Sequence, residues 1–77
     1  MRLDTTTYIR EHDRAPRGLG SWAFIMGAVD FDRLDEKDAL GREVLWWAPA
    51  PLTFAAAKKL ALAEARVRGV SVVGVAP

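Results

Sequence analysis

Three groups of residue types in this chain could do chemistry. The first is RAPRGLGS, residues 14–21, in which Arg14 and Arg17 flank Pro16 and two glycines bracket Leu19. Forked guanidinium donors beside glycine amides suit a phosphate or a carboxylate. The second is an acidic run, Asp30, Asp32, Asp35, Glu36 and Asp38, diluted by Arg33 and Lys37. The third is the lone His12, with Ser21 and Ser71 as hydroxyl candidates.

Each group meets its motif and falls short. A P-loop needs Gly-Lys-Ser/Thr opening a helix, and the dinucleotide fingerprint needs three spaced glycines before one. Here GLGS runs into SWAFIM, the pattern of a strand. What remains is anion contact by Arg14 and Arg17. The simpler alternative is a hairpin connection in which Pro16 stiffens the chain and Gly18 and Gly20 take positive φ. An EF-hand loop needs glycine at its sixth position and glutamate at its twelfth. Counted from Asp30, those places hold Asp35 and Gly41. A two-carboxylate magnesium site stays open, against the simpler reading of a solvated acidic loop. Ser21 lacks the G-x-S-x-G nucleophile elbow, and a triad needs His12, a serine and a carboxylate in one pocket. The expectation is no enzyme, no metal and no cofactor.

Composition narrows the class. The chain has 77 residues and no cysteine, which excludes disulfides, thiolate zinc sites and a cysteine nucleophile. Hydrophobic content of 51% with 27% charged residues fits a globular domain. A formal net charge of +1 gives no global attraction to nucleic acid or membrane. MRLDTTTYIREHD has no apolar signal core, and runs such as AFIMGAV are too short for a bilayer. A single cytoplasmic domain over 1–77, with no membrane contact, is expected.

The elements that must position these groups follow from pattern. TTTYIREHD, residues 5–13, reads as a half-exposed strand with Tyr8, Arg10 and His12 on one face. SWAFIMGAV, 21–29, is apolar on both alternating faces and reads as a buried strand. It is expected to pair with the first as a hairpin. DFDRLDEKDALG, 30–41, is either a short helix over 33–40 or a long acidic hairpin loop. EVLWWA, 43–48, is a third strand, so Trp46 and Trp47 point opposite ways. Thr53 caps a helix over 54–68, with Gly69 as its stop. Phe54, Ala57, Leu60, Ala61 and Val67 are expected on its apolar face, and Glu64 is expected to pair with Arg68. VSVVGVA, 70–76, is a last buried strand. The class is α+β: a small mixed sheet of about four strands with one long helix on one face, in the order β-β-β-α-β.

One helix covers one face, so the other needs a cover too. Trp22, Phe24 and one of Trp46 and Trp47 demand more than a single helix gives. The acidic segment folded back with Leu34 and Leu40, or a second polypeptide, would supply it. Self-association on a tryptophan-bearing face is expected for so small a core.

In its length, its lack of cysteine and its ending PLTFAAAKKLALAEARVRGVSVV, the chain resembles small accessory proteins encoded by phages of high-GC bacteria. The resemblance implies binding to a host protein, defence components included, and carries over no site residues. The leading expectation is a non-enzymatic, self-associating module that binds a protein through Arg14, Arg17, Trp22, Phe24, Trp46 and Trp47. The runner-up is a nucleic-acid binder using Arg14, Arg17, Lys58, Lys59 and Arg66, provided the loop and the helix's basic face lie on one side.

Overall fold

A computed structural model describes residues 1–29 and 31–77. Among the described residues the chain forms β1 (Arg2–Asp4), α1 (Thr6–His12), β2 (Leu19–Gly20), β3 (Ala23–Met26), β4 (Leu45–Trp47), β5 (Leu52–Thr53), α2 (Phe54–Arg68) and β6 (Val72–Val75). A single 3-10 turn, Phe31–Arg33, lies between β3 and β4. The fold is α+β. A four-stranded mixed sheet has the order β1-β6-β3-β4, and β2 pairs with β5 as a separate two-stranded ribbon.

β3 is the centre of the sheet. It runs antiparallel to β4, with Phe24 opposite Trp46, and antiparallel to β6, with Phe24 opposite Val75. β4 and β6 therefore run in the same direction, as a βαβ unit requires, with β3 between them. β1 joins the far side of β6 in parallel, Leu3 opposite Val73.

Strand parity sorts the side chains. Phe24, Met26, Val73, Val75, Trp46 and Leu3 share one face and form the main core with α2. The helix meets it through Ala57, Ala61 and Ala65, all fully buried. Their i, i+4, i+8 spacing is one stripe, and methyl side chains let the helix axis come close to the strands. Phe54 closes the end, packing edge-on to Trp22 at 4.8 Å between ring centres. Leu60 and Val67 are exposed, so the apolar face is narrower than the sequence pattern predicts. α2 begins at Thr53, whose hydroxyl accepts the Ala56 N–H at 3.2 Å, and ends at Gly69.

The opposite face carries Ile25, Leu45, Gly74, Ala23 and Trp47. Ile25 is fully buried there with Ala28 and Val44, and Leu34 and Ala76 pack against them. The chain leaving β3 covers part of this face. At Gly74 an added Cβ would lie 2.7 Å from the Ala28 carbonyl oxygen and 2.8 Å from Val29 Cα. Glycine in β6 is what lets that backbone cross the sheet. The Thr7 hydroxyl then holds the strap by donating to the Val29 carbonyl at 2.8 Å.

Two expectations change. Within residues 5–13 the chain forms helix α1 (Thr6–His12), not a strand. Asp4 accepts the Thr6 N–H at 2.9 Å, which satisfies a first-turn amide, and Asp13 ends the helix in the left-handed region at φ 55°. The hairpin is accordingly β3–β4, not the first two predicted strands. Between them residues 31–41 form the 3-10 turn and a loop with a local hairpin rather than a helix over 33–40. Lys37 bridges Glu43, and the Arg42 N–H and Nε both donate to Asp38.

Candidate groove on the open sheet face

The groove is built from the end of α1, the loop after it and the second face of the sheet. It has a volume of about 420 Å³. Tyr8 and His12 form one wall, their rings stacked at 4.2 Å between centres. Their i, i+4 spacing on α1 brings them together. Ala23, Leu45 and Trp47 form the floor from β3 and β4, and Leu34 and Ala76 add to it.

Arg14 and Arg17 stand on the loop that borders this floor. Beside the β2–β5 pairing, one atom ties this loop down twice. The Gly18 carbonyl accepts the Trp22 Nε1–H at 3.1 Å and the Phe54 N–H at 2.9 Å. It thereby ties the arginine loop both to the aromatic wall and to the start of α2. Gly18 turns the chain at φ 86°, as predicted, whereas Gly20 lies in β2 with no positive φ. Among the described residues, neither arginine is in an ion pair, and no aspartate or glutamate lines the groove. An anion approaching it meets two guanidinium groups and, among the described residues, no aspartate or glutamate side chain.

Of the six residues expected to meet a partner, four come together here: Arg14, Arg17, Trp22 and Trp47. Trp22 is buried but shows part of its surface to the groove. Trp47 is 58% exposed, on the edge strand β4. Phe24 and Trp46 do not reach it. Strand parity turns both toward α2, where their rings pack 6.1 Å apart. Trp22, Phe24 and Trp46 thus find cover within the chain, and only Trp47 still needs one.

No protein-family model, curated protein or solved structure matches the chain.

The runner-up residues separate. Lys58 and Lys59 line a shallow depression with Thr53, Phe54 and Leu62 at the start of α2, apart from the groove. Arg66 is exposed farther along α2 and lines neither. The loop and the helix's basic residues do not share a cavity. His12 and Ser21 do line the groove together, but among the described residues no aspartate or glutamate side chain lines it with them. Asp30, first in the acidic run, lies outside the described residues. Among the described residues no three His, Cys, Asp or Glu side chains cluster. No helix there is long and apolar enough to cross a membrane.

Several surface features escape the sequence pattern. Leu19 is 76% exposed on the groove's rim, and Leu40 is 77% exposed at the tip of the acidic hairpin. Leu60, Ala63 and Val67 make an exposed stripe along α2. Its i, i+3, i+7 spacing is visible in the sequence, but only the buried alanines show which apolar stripe faces inward. Glu64 pairs with Arg68 at 2.7 Å as expected, and Arg68 also donates to the Glu43 carbonyl, linking α2 to the hairpin.

Proposed function

We propose that this chain is a non-enzymatic binding module that takes a protein partner in the groove of its open sheet face. The observation that carries this reading is Trp47, exposed on an edge strand beside the Arg14–Arg17 loop. Tryptophan and arginine are the residue types that concentrate binding energy at protein interfaces. A large apolar ring left in water next to Leu19 and Leu45 is surface a partner would cover. Self-association belongs to the same proposal, as do a cytoplasmic setting and a role of the phage-accessory kind that the sequence resembles.

Nucleic acid is the weaker reading. Its five basic residues split between two surfaces, so a single strand would meet only Arg14 and Arg17 beside Trp47. Photocrosslinking from position 47 tests the choice. A photoreactive phenylalanine analogue in place of Trp47 is expected to yield protein adducts in the producing cell. Adducts that nuclease treatment removes would sink the protein reading.

A further inference from the structure

We infer that the groove's occupant is a second copy of this chain, whose acidic hairpin places Leu40 against Trp47 beside the arginine loop. The inference rests on the protein-binding reading above and names the partner.

Among the described residues, the charges of the 31–43 segment leave two acids over. Glu36 is held by Arg33 at 3.0 Å and Asp38 by Arg42 at 2.8 Å. Lys37 and Glu43 stand opposite each other in the hairpin's backbone bridge and form no ion pair, but their opposite charges offset in the segment's net charge. Asp32 and Asp35 remain, both exposed and in no ion pair among the described residues. The groove carries the opposite remainder in Arg14 and Arg17. Two unpaired acids on one surface thus answer two unpaired arginines on the other.

The apolar parts match in the same way. The hairpin tip presents Leu40, where a solvated turn needs no such side chain. The groove offers Leu34, Leu45 and Trp47 as walls for it. A two-fold dimer also requires each copy to present both halves side by side, so that each hairpin reaches the other's groove. The segment that carries Leu40 gives Leu34 to the groove wall, so one stretch of chain contributes to both halves. The stripe on α2 offers no equal match. Lys59 and Arg66 flank it, so two copies meeting there would set like charges together.

Charge exchange tests this arrangement. One variant carries Arg14→Glu and Arg17→Glu, making groove and hairpin both acidic. The other carries Asp32→Lys and Asp35→Lys, making both basic. All four positions are exposed, so the helical circular dichroism of each variant should equal the parent's. By light scattering the parent is expected to be a dimer at micromolar concentration. Each variant alone should be monomeric, its dissociation constant raised about tenfold or more. An equimolar mixture should regain the dimer mass, because each groove then meets a hairpin of opposite sign. Leu40→Ser should weaken the dimer without altering charge.

A parent dimer whose variants stay dimeric alone, or whose mixture stays monomeric, overturns the hairpin arrangement and leaves the protein-binding reading standing. A monomeric parent whose position-47 adducts are another protein also overturns it. So does a monomeric parent that shifts an oligonucleotide through Arg14 and Arg17, and this last result removes the protein-binding reading as well.

Discussion

Asp38 shows how one carboxylate sets a local structure. One of its oxygens accepts the backbone N–H of Leu40 and of Arg42, each at 2.9 Å, and the other accepts Arg42 Nε at 2.8 Å. These bonds, the Arg42 N–H foremost, hold its pKa below the ordinary value of 3.8. Because the folded value is depressed, the stabilisation is fully present above 3.8 and is lost as pH falls through the folded value. The amide signals of Leu40 and Arg42 are therefore expected to titrate with a midpoint below 3.8, and Asp38→Asn should remove that titration. A midpoint at or above 3.8 by NMR would show that the cap does not form. Gly74 is a second single-residue constraint. Gly74→Ala would set a methyl against the backbone of Ala28 and Val29, which has no flexible end to yield. A loss of about 2 kcal/mol or more in urea unfolding is expected, as for other overpacked interiors. Neither role follows from residue type alone. A glycine in VVGV reads as a weak strand position until the strap that crosses it is known.

At the scale of elements, legibility followed contact range. α2 and β6 were readable because helix formers, an N-cap and a β-branched run act locally. β1 was not. Three residues, RLD, become a strand only by pairing with Val72–Gly74 at the other end of the chain. α1 escapes the pattern because threonine and tyrosine favour strands, whereas the bond from the Thr6 N–H to Asp4 and burial of Thr7 and Tyr8 decide for a helix. The strand reading still placed Tyr8 and His12 on one face, since both periods bring those residues together, but it hid the stack that walls the groove. On α2 the structure reverses the weight of two neighbours. Ala61→Leu should force the helix off the sheet and cost about 1–3 kcal/mol. Leu60→Lys should change stability by no more than about 0.5 kcal/mol, because Leu60 already faces water. Equal losses in chemical denaturation would mean that the apolar arc read from the sequence, centred on both residues, is the buried one.

The whole molecule gives these local terms little reserve. It exposes 4859 Å², against roughly 12,000 Å² for an unfolded chain of 8.5 kDa, so folding removes only about 60% of the surface. A domain that buries so little is marginal on its own, and anything that binds only the folded form will show in its melting temperature. If two copies share the groove face, unfolding is coupled to dissociation. Each tenfold rise in concentration then adds about 1.4 kcal/mol per dimer, or about 0.7 kcal/mol per chain. For a domain of this size that raises Tm by roughly 3 to 6 °C. Trp47→Ser, which removes exposed area but no core contact with α2, should make Tm independent of concentration while leaving the dilute-limit value nearly unchanged. The same series in high salt should lie between the two, since the Arg14, Arg17, Asp32 and Asp35 contacts are screened but the Leu40 contact is not. A parent Tm that is flat across the concentration series would remove the second copy as the cover for Trp47. A salt-insensitive slope would leave the dimer in place and assign its stability to the apolar contact alone.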